Sequence, residues 1–528
     1  MFSSIGHIIG LTKTGLILLR HGALFPEVLS ADAPYPIKAL HRLLHRREKK
    51  QTQSHGSRLV KALPELGPSY IKLGQFLATR PDVIGSDLAS ELKSLQDNLP
   101  PFEHKIALDE IRRGLGCEPS DAFENIGVAI AAASIAQVHK ARIKDDSGAI
   151  RDVAVKVLRP GIEKRFAKDL GRFFFATRML ERIDKRSRRM RPVAAIETLA
   201  QSVKIEMDLR LEAAAISEMA ENVANDPDFK VPEVDWSRTS QRVLTLQWVD
   251  GIALNDIEKI KQAGHDLKKI SRQVIQSFLR HAMRDGFFHA DMHQGNLFID
   301  KSGDLVAVDF GIMGRLAPKD RRFLAEILYG FIKRDYTRIA QVHFDAGYVP
   351  PHQSPELFAQ ALRAIGEPIM GQSADDISMA NLLGQLFFVT EQFDMEMQPQ
   401  LMLLQKTMVV VEGVGRTFDA HLNMWEIAEP VVEEWMKSKL GPEARLNDAV
   451  EGAAALGKLV EHFPEFLAGA EKAANLLSGL TLSEGIKQDH RTLNASSDLN
   501  NKRDWQKTAA LWLGALALVV IAAVQLSG

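Results

Sequence analysis

Three polar residues stand at the separations that phosphoryl transfer from ATP requires. Asp291 and Asn296 lie five residues apart in His289-Ala-Asp-Met-His-Gln-Gly-Asn296, and Asp309 opens an Asp-Phe-Gly thirteen residues after Asn296. In kinases one carboxylate orients the nucleophile, while an amide and a second carboxylate hold Mg²⁺ on the phosphates. We therefore predict that Asp291 is catalytic, that Asn296 and Asp309 bind metal, and that ATP and Mg²⁺ are the cofactors.

A lysine and a glutamate earlier in the chain complete this set. The segments on either side of a turn at 145–148 predict a hairpin of two strands. Lys156 lies in its second strand, in Val-Ala-Val-Lys, where a kinase-like lobe carries the lysine that contacts the phosphates. Such a strand alone is a weak signal, but its position ahead of the Asp/Asn/Asp set strengthens it. A helix predicted over 203–214 then supplies Glu212, which we expect to pair with Lys156 in the catalytic set.

Two further acids, Glu206 and Asp208, lie on the same predicted helix. The pattern leaves their role open. Glu206 and Arg210 are four residues apart, so a surface ion pair worth a few tenths of a kcal/mol is the simplest interpretation.

The segment before the Lys156 strand is rich in alanine where a protein kinase carries glycines over the nucleotide. The predicted cofactor-binding residues here are Ala131, Ala132, Ala133, Ser134, Ile135, Ala136, Gln137 and Val138. A Cβ at each position restricts positive φ and close backbone approach to phosphate. We therefore expect an altered nucleotide pose, or weaker or more selective binding.

A polar stripe on an otherwise apolar helix is the next unusual feature. In the segment 67–81, Lys72 and Gln75 fall on one face, with apolar side chains on another, and Ser69 is the expected N-cap. The stripe alone does not distinguish a functional face from a solvated one.

After Asp309 the chain moves directly into helix, and its Ala-Pro lacks the glutamate of a protein kinase, so the platform for a peptide substrate is missing.

Composition limits the remaining function classes. The chain has 528 residues, enough for two or three folded units. Its 66 Lys plus Arg nearly balance its 67 Asp plus Glu, so it has no net positive charge that would attract nucleic acid. The single cysteine, Cys117, excludes an internal disulfide and fits a reducing compartment.

The C-terminal end is the strongest membrane signal. Residues 509–526 are nearly unbroken apolar sequence, and eighteen helical residues span roughly 27 Å, enough for a hydrocarbon core. Basic residues flank only the N-terminal side, which predicts that the folded part faces the cytoplasm, at the cell inner membrane. A buried core helix is the alternative.

Residues 1–25 predict an amphipathic helix, and the basic run 45–50 fits either anionic phospholipid or solvent.

These signals predict an α+β, bilobal, protein-kinase-like fold with helical additions and a C-terminal transmembrane helix. The expected divisions are a helical N-terminal extension over 1–120, an N-lobe over 121–250, a helical C-lobe over 251–440, amphipathic helices and a polar tether over 441–506, and a membrane anchor over 507–528. Strands near Val231 and over 241–251 are expected to complete the small lobe, and a hairpin over 299–309 is expected to carry Asp309 at its end.

Taken together, the motifs resemble the UbiB/ADCK family of atypical, protein-kinase-like proteins, on its bacterial side. The matching features, in the family's order over residues 65–320, are Lys72-Leu-Gly-Gln75, the alanine-rich segment 131–138, Lys156, Glu206-Met-Asp208 with Glu212, the 289–296 loop and Asp309-Phe-Gly311.

The resemblance implies roles that the patterns do not. Lys72 and Gln75 would face the nucleotide pocket in the space of a peptide substrate, with Glu206 and Asp208 as partners of Lys72. It also implies ATPase activity coupled to membranes and support of ubiquinone biosynthesis, with quinone precursors or proteins of that pathway as partners. Bacterial members often end in two spanning helices, whereas this chain shows one clear candidate.

Four functions fit the residues to different degrees. The leading hypothesis is a membrane-anchored, ATP-hydrolysing atypical kinase. The second is a small-molecule or lipid kinase, since His-x-Asp-x-His-x-Gly-Asn also resembles aminoglycoside and choline kinases. The third is a nucleotide-gated lipid-binding scaffold without catalysis. The fourth, metal-dependent hydrolysis by His289, Asp291 and His293, gives Lys156 and Asp309 no role.

Overall fold

The computed structural model describes residues 2–23, 54–78, 86–92, 99–145, 147–183, 191–370 and 399–440, with a few single positions between them. The chain divides into two compact units. The first contains the described residues up to Ser217 together with 232–248, and the second contains 218–231 and the described residues from Val249 to Leu440. The predicted tether over 441–506 and the predicted anchor over 507–528 lie outside the described residues.

Helices and strands alternate along the chain in the following order. The first half contains α1 (Phe2–Arg20), α2 (His55–Leu66), α3 (Pro68–Ala78), α4 (Ser86–Leu92), α5 (His104–Leu115), α6 (Pro119–Ala122), β1 (Asn125–Ala132), β2 (Ala136–Lys144), β3 (Ile150–Leu158), α7 (Ile162–Ile183), α8 (Pro192–Glu206), α9 (Leu209–Val223), β4 (Phe229–Lys230) and β5 (Val243–Gln247). The second half contains β6 (Gly251–Ala253), α10 (Ile257–Gln262), α11 (Leu267–Arg280), β7 (Phe287–His289), β8 (Leu297–Asp300), β9 (Leu305–Ala307), β10 (Met313–Arg315), α12 (Pro318–Lys333), α13 (Tyr336–Asp345), α14 (Pro355–Met370), α15 (Pro399–Phe418) and α16 (Met424–Leu440).

An antiparallel sheet in the order β1-β2-β3-β5 forms the centre of the first unit. Alternate residues Val153, Val155 and Val157 of β3 are buried in the core cluster with Ile111 of α5, as the two-residue period of a strand requires. The β2–β3 hairpin was predicted, and its turn is closed by the Asp145 carboxylate, which accepts from the amides of Ser147 and Ala149. The pairing of β1 with β2 was not predicted.

Close helix packing fixes the orientation of α3. A Cβ on Gly74 would lie 2.6 Å from the terminal methyl groups of both Leu63 and Leu95, so a larger residue would force these two side chains to shift. On the buried side of α3, the hydroxyl of Tyr70 lies 2.7 Å from the Thr14 hydroxyl of α1. The helix begins at Pro68, so the predicted N-cap Ser69 instead lies inside its first turn.

The second unit contains a sheet in the order β4-β9-β8-β6 and a two-stranded pair of β7 with β10. The predicted hairpin leading to Asp309 is confirmed as β8 and β9. The strand expected near Val231 was assigned to the wrong lobe, because β4 pairs in parallel with β9 of this second unit. Phe229 of β4 is 1% exposed, so its apolar side chain anchors the strand there.

The helices of the second unit follow strong local signals. Asp266 accepts from the amides of Lys268 and Lys269 and so caps α11. The absence of a long segment between Asp309 and the next helix is also confirmed, since α12 begins at Pro318. Among the described residues, no helix has both the length and the apolar character needed to cross a bilayer.

A buried carboxylate ties the chain before β4 to the end of α11. Asp226 is 3% exposed, and it accepts from His281 at 3.1 Å and from Arg284 at 2.6 Å. Burial by itself would raise the pKa of Asp226, but the hydrogen bonds from His281 and Arg284 outweigh it, and the pKa lies well below its ordinary value of 3.8. Asp226 therefore stabilises the fold as a carboxylate.

We expect Asp226→Asn to lower the free energy of unfolding by about 3 kcal/mol at pH 7, because it removes one partner of a buried charged network. The difference from wild type should be constant above the unfolded-state pKa of 3.8 and should shrink as the pH falls below that value, since the folded-state pKa is the lower one. Urea titrations across this range test the prediction. Asp256→Asn, at an exposed pair with Lys259, is the control and should change little at any pH. A difference that grew on acidification would contradict it.

Candidate functional site

Lys156 and Glu212 form a close ion pair in the first unit. The Lys156 Nζ lies 2.8 Å from Oε1 and 3.0 Å from Oε2 of Glu212. Both side chains are largely buried, at 15% and 8% exposure. The predicted contact is therefore present, and it holds the ammonium at the end of β3 in one position. Its role toward a nucleotide remains a prediction.

A second lysine–glutamate pair lies on the helical extension. Lys72 of α3 reaches Glu206 at 2.7 Å, and the two side chains are 15% and 11% exposed. Glu206 is the last residue of α8, where the helix dipole disfavours a negative charge, so a cation here offsets an unfavourable position. Gln75, one turn further along α3, is half-buried.

Three expectations about this helix and its acids are wrong. The helix predicted over 203–214 is broken, because α8 ends at Glu206 and α9 begins at Leu209. Asp208 lies in the break and binds Arg210 at 2.6 Å, so it does not serve Lys72. The suggested surface pair of Glu206 with Arg210 also fails, since each has another partner.

The alanine-rich segment is a tight turn between β1 and β2. The Ala133 amide donates to the Ala136 carbonyl at 2.8 Å, and the Arg159 guanidinium binds the Ala133 carbonyl from the end of β3 at 2.8 Å. Arg159 also donates to the backbone of Pro100. The sequence reasoning did not find Arg159, which carries no motif beyond its place after a strand.

The residues of this turn that were predicted to bind the nucleotide lie on both faces of the sheet. Val138 is directly opposite Lys156 in the β2–β3 register, so both side chains lie on one face of the sheet. Gln137 lies on the other face, and its side chain is fully buried. It accepts from the Phe102 amide at 2.9 Å and lies 2.9 Å from His139. The Gln137 side chain is thus a structural group, which corrects its assignment as a cofactor contact.

In the second unit, a buried histidine organises the 289–296 loop. His289 Nδ1 accepts from the Asp291 amide at 3.1 Å, so its proton is on Nε2, which donates to the Val308 carbonyl at 3.2 Å. Burial lowers the pKa of His289, which keeps the ring neutral and preserves this tautomer. One imidazole therefore joins the backbone at Asp291 to the residue that precedes Asp309.

Asn296 completes that connection. Its Nδ2 donates to the Asp291 carbonyl at 3.1 Å, and its own carbonyl accepts from the Val308 amide at 2.8 Å. The amide oxygen of Asn296 is then the atom that a Mg²⁺ would take. Together with the exposed carboxylate of Asp309 this gives an all-oxygen donor set, which is what Mg²⁺ prefers alongside phosphate oxygens. The residues present therefore fit the predicted ion.

Asp309 has a backbone conformation that L-residues rarely adopt. Its φ is +61°, in the left-handed region. The residues on both sides are fixed, because Val308 is bonded to the loop and the ring of Phe310, 1% exposed, lies 5.0 Å from that of His289. Such strain is characteristic of functional sites, and here it positions a carboxylate outside the core.

A metallohydrolase site is not supported. Both ring nitrogens of His289 are used in hydrogen bonds to the backbone. Within the described part of the chain, no three His, Cys, Asp or Glu side chains converge in a way that could hold a metal ion. The fourth sequence hypothesis is therefore wrong for the described residues.

Helix α15 contacts the 289–296 loop from outside the kinase motifs. The Thr407 hydroxyl is fully buried and lies 2.8 Å from the Leu403 carbonyl of its own helix and 3.1 Å from the Ala290 carbonyl, so its single proton is shared between the two. The sequence reasoning assigned no chemistry to this region. A threonine in the middle of an apolar helix was the only available signal.

Comparison with known proteins accounts for these features. Residues 94–343 match the ABC1 atypical kinase-like domain, and residues 362–423 match the UbiB helical domain. A protein named probable protein kinase UbiB from Marinobacter nauticus is 36% identical over 479 residues, which cover 88% of this chain and 85% of that protein. The chain belongs to the UbiB family.

A second relative agrees with this assignment, and a solved structure aligns with the chain more distantly. A probable protein kinase UbiB from Pseudomonas fluorescens is 38% identical over 400 residues, covering 75% of this chain and 74% of the relative. A solved complex of a Mycobacterium tuberculosis protein with erythromycin aligns over 75% of this chain and 97% of its own, with a TM-score of 0.47 and 22% identity.

Membership of the UbiB family makes the chain an enzyme of the atypical kinase type, with a kinase-like α+β fold and helical additions. It also explains helix α15. This helix lies within the matched UbiB helical domain, yet Thr407 bonds directly to the catalytic loop of the kinase-like domain. Residues from both matched domains therefore hold the loop around Asp291 in place.

We expect Asp309→Gly to be more stable than Asp309→Ala by about 1–2 kcal/mol, because alanine in the left-handed region bears a steric cost that glycine avoids. Both variants lack the carboxylate, so both should lose activity equally. Thermal unfolding of the two purified variants measures the difference. Equal midpoints would show that the backbone at residue 309 relaxes without strain.

Proposed function

We propose that this protein is a membrane-associated atypical kinase that hydrolyses ATP with Mg²⁺ and supports ubiquinone biosynthesis by acting on lipid-like quinone precursors. In this proposal Lys156, oriented by Glu212, binds the α- and β-phosphates, and Asn296 with Asp309 hold Mg²⁺, which neutralises charge on the phosphates. Asp291 orients the attacking water or hydroxyl group. The alanine turn and Val138 contact the nucleotide.

The Lys72–Glu206 pair is the observation that favours a lipid-like client over a protein. A helix outside the kinase core contributes a buried lysine to an ion pair on the helix that precedes Glu212. Helix α12 begins soon after Asp309, with no extended segment for a peptide. In this proposal the kinase residues act on ATP, while the surroundings of Glu212 and Asp309 differ from those of a protein kinase.

The proposed location is the cytoplasmic face of the cell inner membrane. It rests on the apolar sequence 509–526 with its basic N-terminal flank. Helix α1 contributes a second argument, because Ile9 and Leu16 are 65% and 59% exposed and share a face with Lys13. Such a face suits the surface of a membrane rich in anionic phospholipid.

We expect the full-length protein in liposomes to release ADP and phosphate from MgATP, and Asp309→Asn to reduce the rate by about 100-fold or more, as loss of a transition-state charge stabiliser typically does. Asp256→Asn is the matched control and should retain wild-type turnover. The same reactions are analysed for phosphorylated lipid. ATP turnover that persists in Asp309→Asn would refute the proposed site, whereas stoichiometric phosphate transfer to a lipid would identify a lipid kinase.

The Lys72–Glu206 pair is tested by a double-mutant cycle in urea unfolding. Lys72→Ala and Glu206→Gln each remove one charge of a largely buried ion pair, so each should destabilise, and the double variant should be less destabilised than the sum by about 0.5–3 kcal/mol. We expect turnover to fall in both single variants, because α8 then loses the anchor that precedes Glu212. Strict additivity would show that the pair contributes no coupling.

A further inference from the structure

Arg159 has no role in the function described so far, although it contacts the alanine turn at two points. Its Nε and Nη2 lie 3.0 Å and 2.8 Å from the Ala133 carbonyl and donate to it. Its backbone amide donates to the Ile135 carbonyl at 2.8 Å, one residue beyond the paired part of β2 and β3. A single residue therefore binds the turn on both sides of Ser134.

The geometry of the turn explains why it needs such an anchor. Ala133 and Ala136 are joined by a hydrogen bond, so Ser134 and Ile135 form a two-residue hairpin loop. Loops of this length that match the twist of a hairpin normally require a residue with positive φ, and neither of these two has one. Bonds from outside the hairpin therefore contribute to fixing the loop, and both of its residues are buried.

The anchor approaches the turn from the side of the sheet away from Lys156. The Arg159 Nη2 also donates to the Pro100 carbonyl at 3.0 Å, and the guanidinium lies 5.7 Å from the centre of the Phe102 ring. The backbone of Phe102 is bonded to Gln137, whose side chain faces away from Lys156. Any effect of Arg159 on a nucleotide beside Lys156 is therefore indirect and acts through the turn.

Arg159 is itself held in place by a buried charged pair. Its carbonyl accepts from Arg242 Nη2 at 3.2 Å. Arg242 in turn donates from Nε at 2.9 Å and from Nη2 at 2.7 Å to the Glu110 carboxylate, which is 3% exposed. Charge-assisted bonds of this kind are strong and fix geometry. The position of Arg159 thus depends on α5 and on the start of β5 as well as on β3.

We propose that Arg159 is a positioning residue for nucleotide binding, which holds the alanine turn in its binding-competent conformation. The inference rests on the proposed function in one respect, namely that the turn contacts the nucleotide. Without the guanidinium the turn adopts other conformations as well, and the apparent affinity falls in proportion to the fraction of protein that stays competent. Arg159 touches no reacting atom, so the rate at saturating MgATP is retained.

The test compares Arg159→Lys with wild type in the full-length protein. Lysine keeps the positive charge but lacks the planar fork that binds two backbone carbonyls. The dissociation constant for a fluorescent MgATP analogue should rise about tenfold, which corresponds to ~1.4 kcal/mol. The KM for MgATP should rise with it, while kcat stays within about twofold of wild type. Without nucleotide, hydrogen exchange of the backbone amides 133–136 should be faster in the variant.

Arg238→Lys is the matched control. Arg238 also lies in the first unit, and its Nε donates to the Ala122 carbonyl at 2.6 Å. This variant therefore loses a guanidinium bond to the backbone as well, but away from the alanine turn. It should lower the unfolding temperature to a similar extent and leave nucleotide affinity unchanged. Arg159→Gln takes the place of the lysine variant if the latter does not fold.

Unchanged affinity in folded Arg159→Lys, or a fall in kcat with KM unaltered, would overturn the proposal. An equal loss of affinity in Arg238→Lys would overturn it as well, because general destabilisation would then be the cause. Wild-type protein that binds the analogue without turnover would refute the proposed ATP hydrolysis alone, since the affinities still test Arg159. Wild-type protein that binds no nucleotide would refute both.

Discussion

The break between α8 and α9 is the constraint on which the first unit depends. Two carboxylates, Glu206 and Glu212, lie on either side of it. Glu206 forms an ion pair with Lys72 of the extension, and Glu212 forms one with Lys156 of the sheet. Both pairs are shielded from water, where an unmatched charge would cost several kcal/mol. The position of one bend thus couples the extension, the sheet and the helix that carries Glu212.

Local interactions hold the bend in place. Asp208 binds the side chain of Arg210 and accepts from its amide at 3.2 Å, and the Leu209 amide donates to the Gln241 carbonyl at 3.0 Å just before β5. The break is therefore attached to the sheet that carries Lys156. Asp208, which the resemblance assigned to Lys72, serves the pair indirectly, because it stabilises the turn that places Glu206 and Glu212 on separate helices.

In the second unit, hydrogen bonds rather than ion pairs fix the positions of the predicted site residues. Its loop must hold Asp291, Asn296 and Asp309 in fixed relation although they come from separate segments. His289 does so from the interior with one defined tautomer, and Asn296 adds two bonds to the same backbone. A neutral, buried imidazole suits this task, since a charged one would need a counter-ion and compete with Mg²⁺ for the Asp309 carboxylate.

Motifs with a short-range physical cause were predictable from the sequence. The β2–β3 hairpin, the strand before Asp309 and the early start of α12 each depend on a few neighbouring residues. The Lys156–Glu212 contact joins distant parts of the chain, and it was predictable from the order of the kinase-like motifs instead. The errors share a different cause. No glycine or proline marks the helix break at Met207 in the sequence. The strand β4 joins the second unit because the Phe229 side chain is buried in that unit. Gln137 illustrates the same limit, because one residue's difference in strand register decides whether a polar side chain faces Lys156 or the core.

Helix α15 shows why family-specific function is harder to read than kinase chemistry. Its two neighbouring glycines look identical in sequence, but Gly415 permits contact with Ile275 and accepts a hydrogen bond from Ser271 at 2.9 Å, while Gly413 faces open space. Only the first is required by packing. The packing at Gly415 and the contact of Thr407 with the Ala290 carbonyl hold α15 in place, so the added domain supports the 289–296 loop.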